Sequence, residues 1–468
     1  MPASTHPPSF ADLGVPAALC AVLHRSGIET PFPIQTATLA DTLAGRDVLG
    51  RGRTGSGKTL AFALPMVVQL SDRRRPTQPN HPRGLILAPT RELATQIAAV
   101  LEPLAATSRL KVTTIFGGVS QGRQVAALRA GVDIVIACPG RLEDLIRQGH
   151  CRLDAVEITV LDEADHMADL GFLPAVRRLL DATPRGGQRM LFSATLDNGV
   201  DVIVRRFLSK PLTHSVDPEA AAVTPMSHHV FAVDSVEDKT RVVRELASGE
   251  GRRLLFTRTK HAAKRLASDL TQAGVPAVDL HGNLNQNARD RNLAAFASGS
   301  VRVLVATDIA ARGIHVDDIV LVVHVDPPTE HKAYLHRSGR TARAGAGGDV
   351  VTVMLPNQRG DVRTLARQAG ITPVIRQVSA GSLHTRELVG QAVALVAPTP
   401  KRTESPRRAA APGAPARPRR RGGSGRPATS GHAAPRTWST SSPTGSKPGS
   451  SAVAVSRGGG PRRRGGSR

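Results

Sequence analysis

Short, continuously apolar runs alternate with helical patterns along this chain, and then the same alternation begins again; no other feature narrows the fold as much. The first series is Asp47-Val48-Leu49, Leu85-Ile86-Leu87, Val112 to Phe116, Ile134-Val135-Ile136, Ile158 to Leu161 and Met190-Leu191-Phe192. Runs this short and apolar throughout suit parallel strands covered on both faces by crossover helices. After a less patterned stretch near Thr213 to Ser227, the alternation resumes at Leu254 to Phe256, Val278 to Leu280, Val301 to Val305, Ile319 to Val325 and Val350 to Met354. Two consecutive α/β sheets joined by a linker follow. A chain of 468 residues is long enough for two such domains, and its 40% apolar content can build both cores. We expect a first parallel-sheet domain over residues 1–212, a linker over 213–227, a second domain over 228–380 and a tail over 381–468.

Charge points to the partner. The net charge is +24, and from Pro400 onward 16 basic residues face the single acid Glu404, so about +15 of it lies in the tail. That segment, rich in Arg, Gly, Pro and Ser, lacks the apolar surface to offset its chain entropy and is expected to be disordered. A polyanion is the expected partner, because neutralising its phosphates releases counterions. An anionic membrane surface is the weaker reading: no apolar run reaches the roughly 18 residues needed to span a bilayer. Met1 to Leu23 resembles neither a secretory nor a transit peptide. Three cysteines, Cys20, Cys138 and Cys151, with no CxxC pattern argue against a disulfide frame or a zinc site. A reducing cytoplasm is the expected compartment, and the preference for Arg over Lys hints at a bacterial source.

Gly52-Arg53-Thr54-Gly55-Ser56-Gly57-Lys58-Thr59 follows a strand and opens an apolar helix, matching the phosphate-binding pattern GxxxxGK[ST]. The glycines let backbone N–H groups turn onto phosphate oxygens, Lys58 reaches the terminal phosphates and Thr59 offers a hydroxyl to Mg²⁺. Kinases, GTPases and motors share this loop. Asp162-Glu163-Ala164-Asp165, at the end of the run Ile158 to Leu161, narrows the choice. Carboxylates at that end of a parallel strand lie beside the phosphate loop, where Asp162 would hold Mg²⁺ through water and Glu163 would accept a proton from attacking water.

With these motifs in order, the sequence resembles the DEAD-box branch of helicase superfamily 2, from about Phe10 to Leu355. The resemblance implies two RecA-like domains, ATP and Mg²⁺ as cofactors, and RNA as the polymer. Phe10, with Gly27 and Pro31-Phe32-Pro33-Ile34-Gln35, looks like the adenine-sensing element, the Gln35 amide pairing with adenine and rejecting guanine. Pro89-Thr90-Arg91, Gly117-Gly118 and Cys138-Pro139-Gly140-Arg141 look like RNA-backbone contacts; Cys138 stands where the family usually has threonine, which removes a hydroxyl. Ser193-Ala194-Thr195 would bond Asp165 and couple hydrolysis to strand separation. In the second domain, Gln286 and Arg289 belong to a segment like HGxxxQxxR, Thr307 would bind RNA and Asp308 the ribose. His315 replaces a usual aspartate and receives no role. His336 to Arg343 resembles HRxGRxxR, with Arg340 and Arg343 as arginine fingers; Ala342 replaces a frequent glycine, and little effect is expected of it.

Aromatic residues are 3% of the chain, with the single Tyr at 334 and the single Trp at 438 outside the expected cores. Base-stacking platforms are therefore scarce, and RNA is expected to be held by its backbone. The expectation is a monomeric ATP-dependent RNA helicase that remodels short duplexes or ribonucleoprotein partners. An RNA-annealing chaperone working through the basic tail, and a DNA helicase or translocase, are the rivals.

Overall fold

A computed structural model describes residues 8–52, 55–73, 75–196, 199–216, 226–311, 316, 318–342 and 347–396 of the protein. In the first lobe lie β1 (Val48–Arg51), β2 (Gly84–Leu87), β3 (Val112–Ile115), β4 (Ile134–Ala137), β5 (Ile158–Asp162), β6 (Gln188–Ser193) and β7 (Leu212–Ser215). In the second lie β8 (Met226–Ala232), β9 (Arg252–Phe256), β10 (Ala277–Leu280), β11 (Val303–Ala306), β12 (Ile319–His324), β13 (Gly348–Met354) and β14 (Val374–Gln377). Every pairing is parallel, and the orders are β3-β4-β2-β5-β6-β1-β7 and β10-β11-β9-β12-β13-β8-β14. Counted from its own first strand, the second sheet repeats the order of the first. One topology is therefore used twice, as the repeated sequence alternation implies.

β2, β4, β5 and β6 are buried at every residue. Alternate residues of a strand face opposite sides. Ile86, Ile136, Val160 and Phe192 thus meet Phe62 and Met66 on one face, while Leu85, Leu87, Leu161 and Leu191 meet Leu142 and Leu179 on the other. Helix starts after the strands are fixed by side-chain caps. Thr90 Oγ1 accepts from Leu93 N–H, Thr259 Oγ1 from Ala262 N–H and Asn285 Oδ1 from Ala288 N–H.

Three boundaries differ from expectation. β7 pairs with β1 although residues from 213 were expected to be linker, and β8 begins at Met226. Neither Leu-Thr-His-Ser nor Met-Ser-His-His is an apolar run, because both strands expose part of their surface. The second lobe also continues past residue 380. The helix Leu383–Val389 packs on the helix Val236–Ala247, Val393 N–H donates to the Ser248 carbonyl and Val396 N–H to the Gly274 carbonyl. Buried Arg253 ties this strap down, donating to the carbonyls of Leu246, Glu250, Leu388 and Val389. Cations suit helix C-termini, which explains an arginine in a spot where burial alone lowers its pKa to about 10. Residues 381–396 thus belong to the second lobe; the tail beyond them, with Trp438, lies outside the described residues.

Tyr334 is a core residue, 2% exposed, in contrast to its expected place outside the cores. Its ring packs edge-on against His324 at 4.8 Å and its hydroxyl lies 3.0 Å from His228 Nδ1. A hydroxyl among polar neighbours lets this aromatic share the layer with Phe256 and Phe296. Among the described residues no helix is long and apolar enough to cross a membrane. Fully buried Phe296 lies in the second-lobe core with Leu254, Leu280 and Leu304. Phe296→Ala is expected to destabilise that lobe by about 3–5 kcal/mol, read from its urea-unfolding midpoint.

Candidate functional site

Sheet order sorts the motifs into two groups. The segments after β1, β5 and β6, three adjacent strands, carry the phosphate loop, Asp162 to Asp165, and Ser193 to Thr195. Those after β2, β4 and β3, the adjacent strands on the other side, carry Pro89 to Arg91, Pro139 to Arg141, and Gly117-Gly118. In an open parallel sheet these C-terminal strand ends are where ligands bind.

The phosphate loop needs its glycines. Gly55 and Gly57 have φ of +88° and +84°, and a Cβ on Gly57 would stand 2.5 Å from Gln35 Nε2. Lys58, at the first turn of the helix Lys58–Asp72, is buried and donates from Nζ to the Gly52 carbonyl at 2.7 Å. Ser56 and Thr59 are part of the same turn, while Arg53 and Thr54 lie outside the described residues. Gln35 is wholly buried: its Nε2 donates to the Gly57 carbonyl at 2.7 Å, and its Oε1 accepts from Phe32 N–H at 2.9 Å. In this state the amide braces the phosphate loop. Phe10, 3% exposed, is likewise a core residue and presents no face to a ligand. Phe32, 45% exposed and against Gly57, is the aromatic that borders the loop.

Asp165 is enclosed by the segment after β6. Its Oδ2 accepts from Ala194 N–H (3.2 Å), Thr195 N–H (3.0 Å) and Thr195 Oγ1 (3.3 Å), and its own N–H donates to Ser193 Oγ. Ser193 Oγ in turn donates to the Thr195 carbonyl at 2.6 Å. Burial pushes the Asp162 carboxyl up to about 7 against the opposing pull of Lys58. A desolvated carboxylate of this kind suits a hard divalent cation with oxygen ligands. Burial acts the same way on Glu163, but the hydrogen bond and charge of His166, then Arg340 and Lys58, outweigh it and hold this carboxyl far below its ordinary range. Glu163 also has φ of +50°, a left-handed backbone at the start of the helix Ala164–Asp169.

The second lobe reaches this point. Arg340, 5% exposed, lines a cavity of about 20 Å³ together with Lys58, Glu163, Asp165, His166, Ala194 and His336. Arg343, expected beside it, lies outside the described residues, as do Arg312 to His315. Asp308 is paired here while a third of its side chain stays exposed: Arg337 donates to both carboxylate oxygens, with Nη2 to Oδ2 at 2.8 Å, and lies over the Phe256 ring at 5.0 Å. His166, His336 and Arg337 carried no assignment from the sequence. His166 directly follows Asp165, so its position was the signal that could have found it.

On the other half of the first sheet, Gly118 has φ of +77°, and a Cβ there would fall 2.0 Å from Arg91 Nη1. Arg141 donates to the Val119 carbonyl at 3.3 Å. Arg91 Nη1 also donates to Gln286 Oε1 at 2.9 Å, and Arg289 Nε to Glu92 Oε1 at 2.7 Å, so two bonds join the lobes here. Arg289 adds contacts to the carbonyls of His281 and Ala310 and is 8% exposed. Expected as an RNA ligand, it is an interlobe tie in this state. Thr307 lies just past β11, its N–H bonded to the Leu280 carbonyl. Cys138 is at the start of the helix Pro139–Arg147, its thiol pushed up to about 12 by burial and then by Glu92.

Residues 32–203 match the DEAD/DEAH box helicase family and residues 238–345 the helicase conserved C-terminal domain. An ATP-dependent RNA helicase DBP2 from Meyerozyma guilliermondii is 37% identical over 372 residues, covering 78% of this chain and 67% of that protein. The chain belongs to the DEAD-box helicase family. A chloroplastic DEAD-box ATP-dependent RNA helicase 3B of Zea mays is 40% identical over 370 residues, 77% of this chain and 49% of the relative. The chain thus spans about half the length of that relative. S. cerevisiae Dbp5 bound to RNA and ADP BeF3 superposes with a TM-score of 0.70 at 26% identity, covering 81% of this chain and 99% of that one. The two DEAD-box lobes are the tandem RecA-like folds expected from the sequence.

Ala342 stands where this family often has glycine, and its φ is +54°. The left-handed region disfavours a Cβ, so the substitution is not the neutral change expected. Ala342→Gly is expected to stabilise the second lobe by about 1 kcal/mol, measured by denaturant unfolding against the wild type.

Proposed function

We propose that this protein is an ATP-dependent RNA helicase whose hydrolysis site is completed only when the two lobes meet. The observation that carries the reading is the shared cavity in which Arg340 of the second lobe joins Lys58 and Glu163 of the first. The RNA and nucleotide bound to Dbp5 support the choice of ligands, as does the similarity to the ATP-dependent RNA helicase DBP2.

In this reading the backbone N–H groups of residues 55–57 and Lys58 bind the phosphates, with Gly52 forming the loop's entry. Thr59 and Asp162 would hold Mg²⁺, Asp162 through water, and the ion would supply charge neutralisation at the phosphates. Glu163, held below its ordinary range by His166, Arg340 and Lys58, accepts the proton of the attacking water. Arg340 neutralises charge that develops on the transferred phosphoryl group. Arg343 is assigned the same role from its motif. Space of about 20 Å³ holds roughly one water. Nucleotide therefore enters with Arg340 withdrawn, and closure follows.

RNA is assigned to the ends of β2, β3 and β4: Pro89, Thr90, Arg91, Gly117, Gly118, Pro139, Gly140 and Arg141, with Gln286 and Thr307 from the second lobe. These are small residues, amides and guanidinium groups, suited to phosphates and sugars more than to bases. Glu92 and Arg289 hold that surface in register across the lobes. Asp308, oriented by Arg337, is assigned to the ribose. A bacterial cytoplasmic setting, suggested by composition alone, belongs to the same proposal.

The test is ATP hydrolysis with no nucleic acid, with single-stranded DNA and with RNA. RNA alone is expected to stimulate turnover; equal stimulation by DNA would favour the translocase. Lys58→Ala is expected to abolish ATP binding, and Glu163→Gln to lower turnover about 100-fold or more while RNA stays bound. A chaperone acting through its basic tail would keep its activity in Lys58→Ala, which would overturn the proposal.

A further inference from the structure

Glu163 has two carboxylate oxygens, and a base must keep one of them for water. The structure gives the other to a residue outside the recognised motifs. His166 Nδ1 lies 3.0 Å from Glu163 Oε2, three residues along the same short helix. A carboxylate only accepts, so Nδ1 carries the proton and donates it. The ring is 4% exposed, and its Nε2 is buried without a hydrogen-bond partner among the described residues. A histidine retained only for packing would be expected to satisfy both nitrogens. This one instead lines the cavity shared by Lys58, Glu163 and Arg340.

We propose that His166 is a positioning residue for hydrolysis: its Nδ1–H fixes Glu163 Oε2 so that Oε1 faces the attacking water. In the step, water oxygen bonds to the terminal phosphorus, the bond from phosphorus to the leaving oxygen breaks with its electron pair going to ADP, and the water proton passes to Glu163 Oε1. His166 neither gains nor loses a proton. The charged and titratable groups that line the cavity with the ring are Glu163 and Asp165 from its own segment, Lys58 from the helix after β1, and His336 and Arg340 from the second lobe.

The inference rests on Glu163 as the base, so Glu163→Gln is measured alongside; if that variant keeps wild-type single-turnover hydrolysis, the base assignment itself fails. The test proper uses the amide geometry of Asn and Gln. An Asn amide falls near the place of Nδ1, a Gln amide near that of Nε2. With the full chain, saturating RNA and Mg-ATP, His166→Asn is expected to hydrolyse ATP in a single turnover within about threefold of wild type. His166→Gln and His166→Ala are expected to fall about tenfold or more, with nucleotide affinity unchanged in all three. Loss of ATP binding in parallel with rate would mark a packing residue and overturn the proposal. So would Gln matching or exceeding Asn, or an Ala variant as fast as wild type.

Discussion

Three carboxylates stand within four residues at the end of β5, each no more than 7% exposed. Like charges so close and so poorly solvated repel strongly, and they persist only where each has a separate compensator. Asp165 has the amides and hydroxyls after β6, Asp162 has Lys58 after β1, and Glu163 has His166 and Arg340. Two of these compensators come from the strands that follow β5 in the sheet order. The adjacency β5-β6-β1 is thus an electrostatic requirement as much as a topological one. Arg340 is different, because its chain belongs to the other lobe.

That difference ties the nucleotide half of the first sheet to its other half. At the ends of β2, β3 and β4 a left-handed glycine, Gly118, leaves room for the Arg91 guanidinium, which bridges to Gln286. The neighbouring residue Glu92 is paired with Arg289, both nearly buried. Removing either member would strand a nearly buried charge, so the pair specifies which approach of the lobes satisfies both groups more than it adds net stability. A polymer lying over this surface and a nucleotide lying near Lys58 would each act on the same interlobe approach. No direct contact between them is needed for one to alter the other.

Much of this was legible in the sequence, and the failures share a cause. The strands buried on both faces read as apolar runs, and the loops after them read as motifs, because both signals are local. β7, β8 and β14 did not read, since partly exposed strands carry no continuous apolar pattern. Gln35 was recognised, yet its partner Gly57 lies 22 residues away and turns the amide inward. Arg289 and Asp308 were recognised as functional too, but their counter-groups, Glu92 and Arg337, are fixed only by folding. Residue type foretold the charge at each of these positions; which neighbour neutralises it is a property of three-dimensional packing. His166 is a different case: it stands three residues from Glu163, so its local position was legible and only the cavity it lines required the fold.

The anchoring of Arg340 shows how a second lobe can serve as an on–off element without losing its own stability. Arg337, one turn earlier, is held by Asp308, by the Asp326 carbonyl and by the Phe256 ring. Buried Tyr334 and Ser338 complete that turn, with Ser338 Oγ donating to the Tyr334 carbonyl. The segment bearing Arg340 is therefore fixed within its own lobe whether or not the first lobe is near. A guanidinium on a rigid support gains or loses contact with the phosphate site only through motion of the lobe as a whole. Its direct contact with the cavity shared by Lys58 and Glu163 is lost when the lobe moves away. Steep dependence of hydrolysis on closure then needs no dedicated switch, only a short-range charge carried on a stiff body.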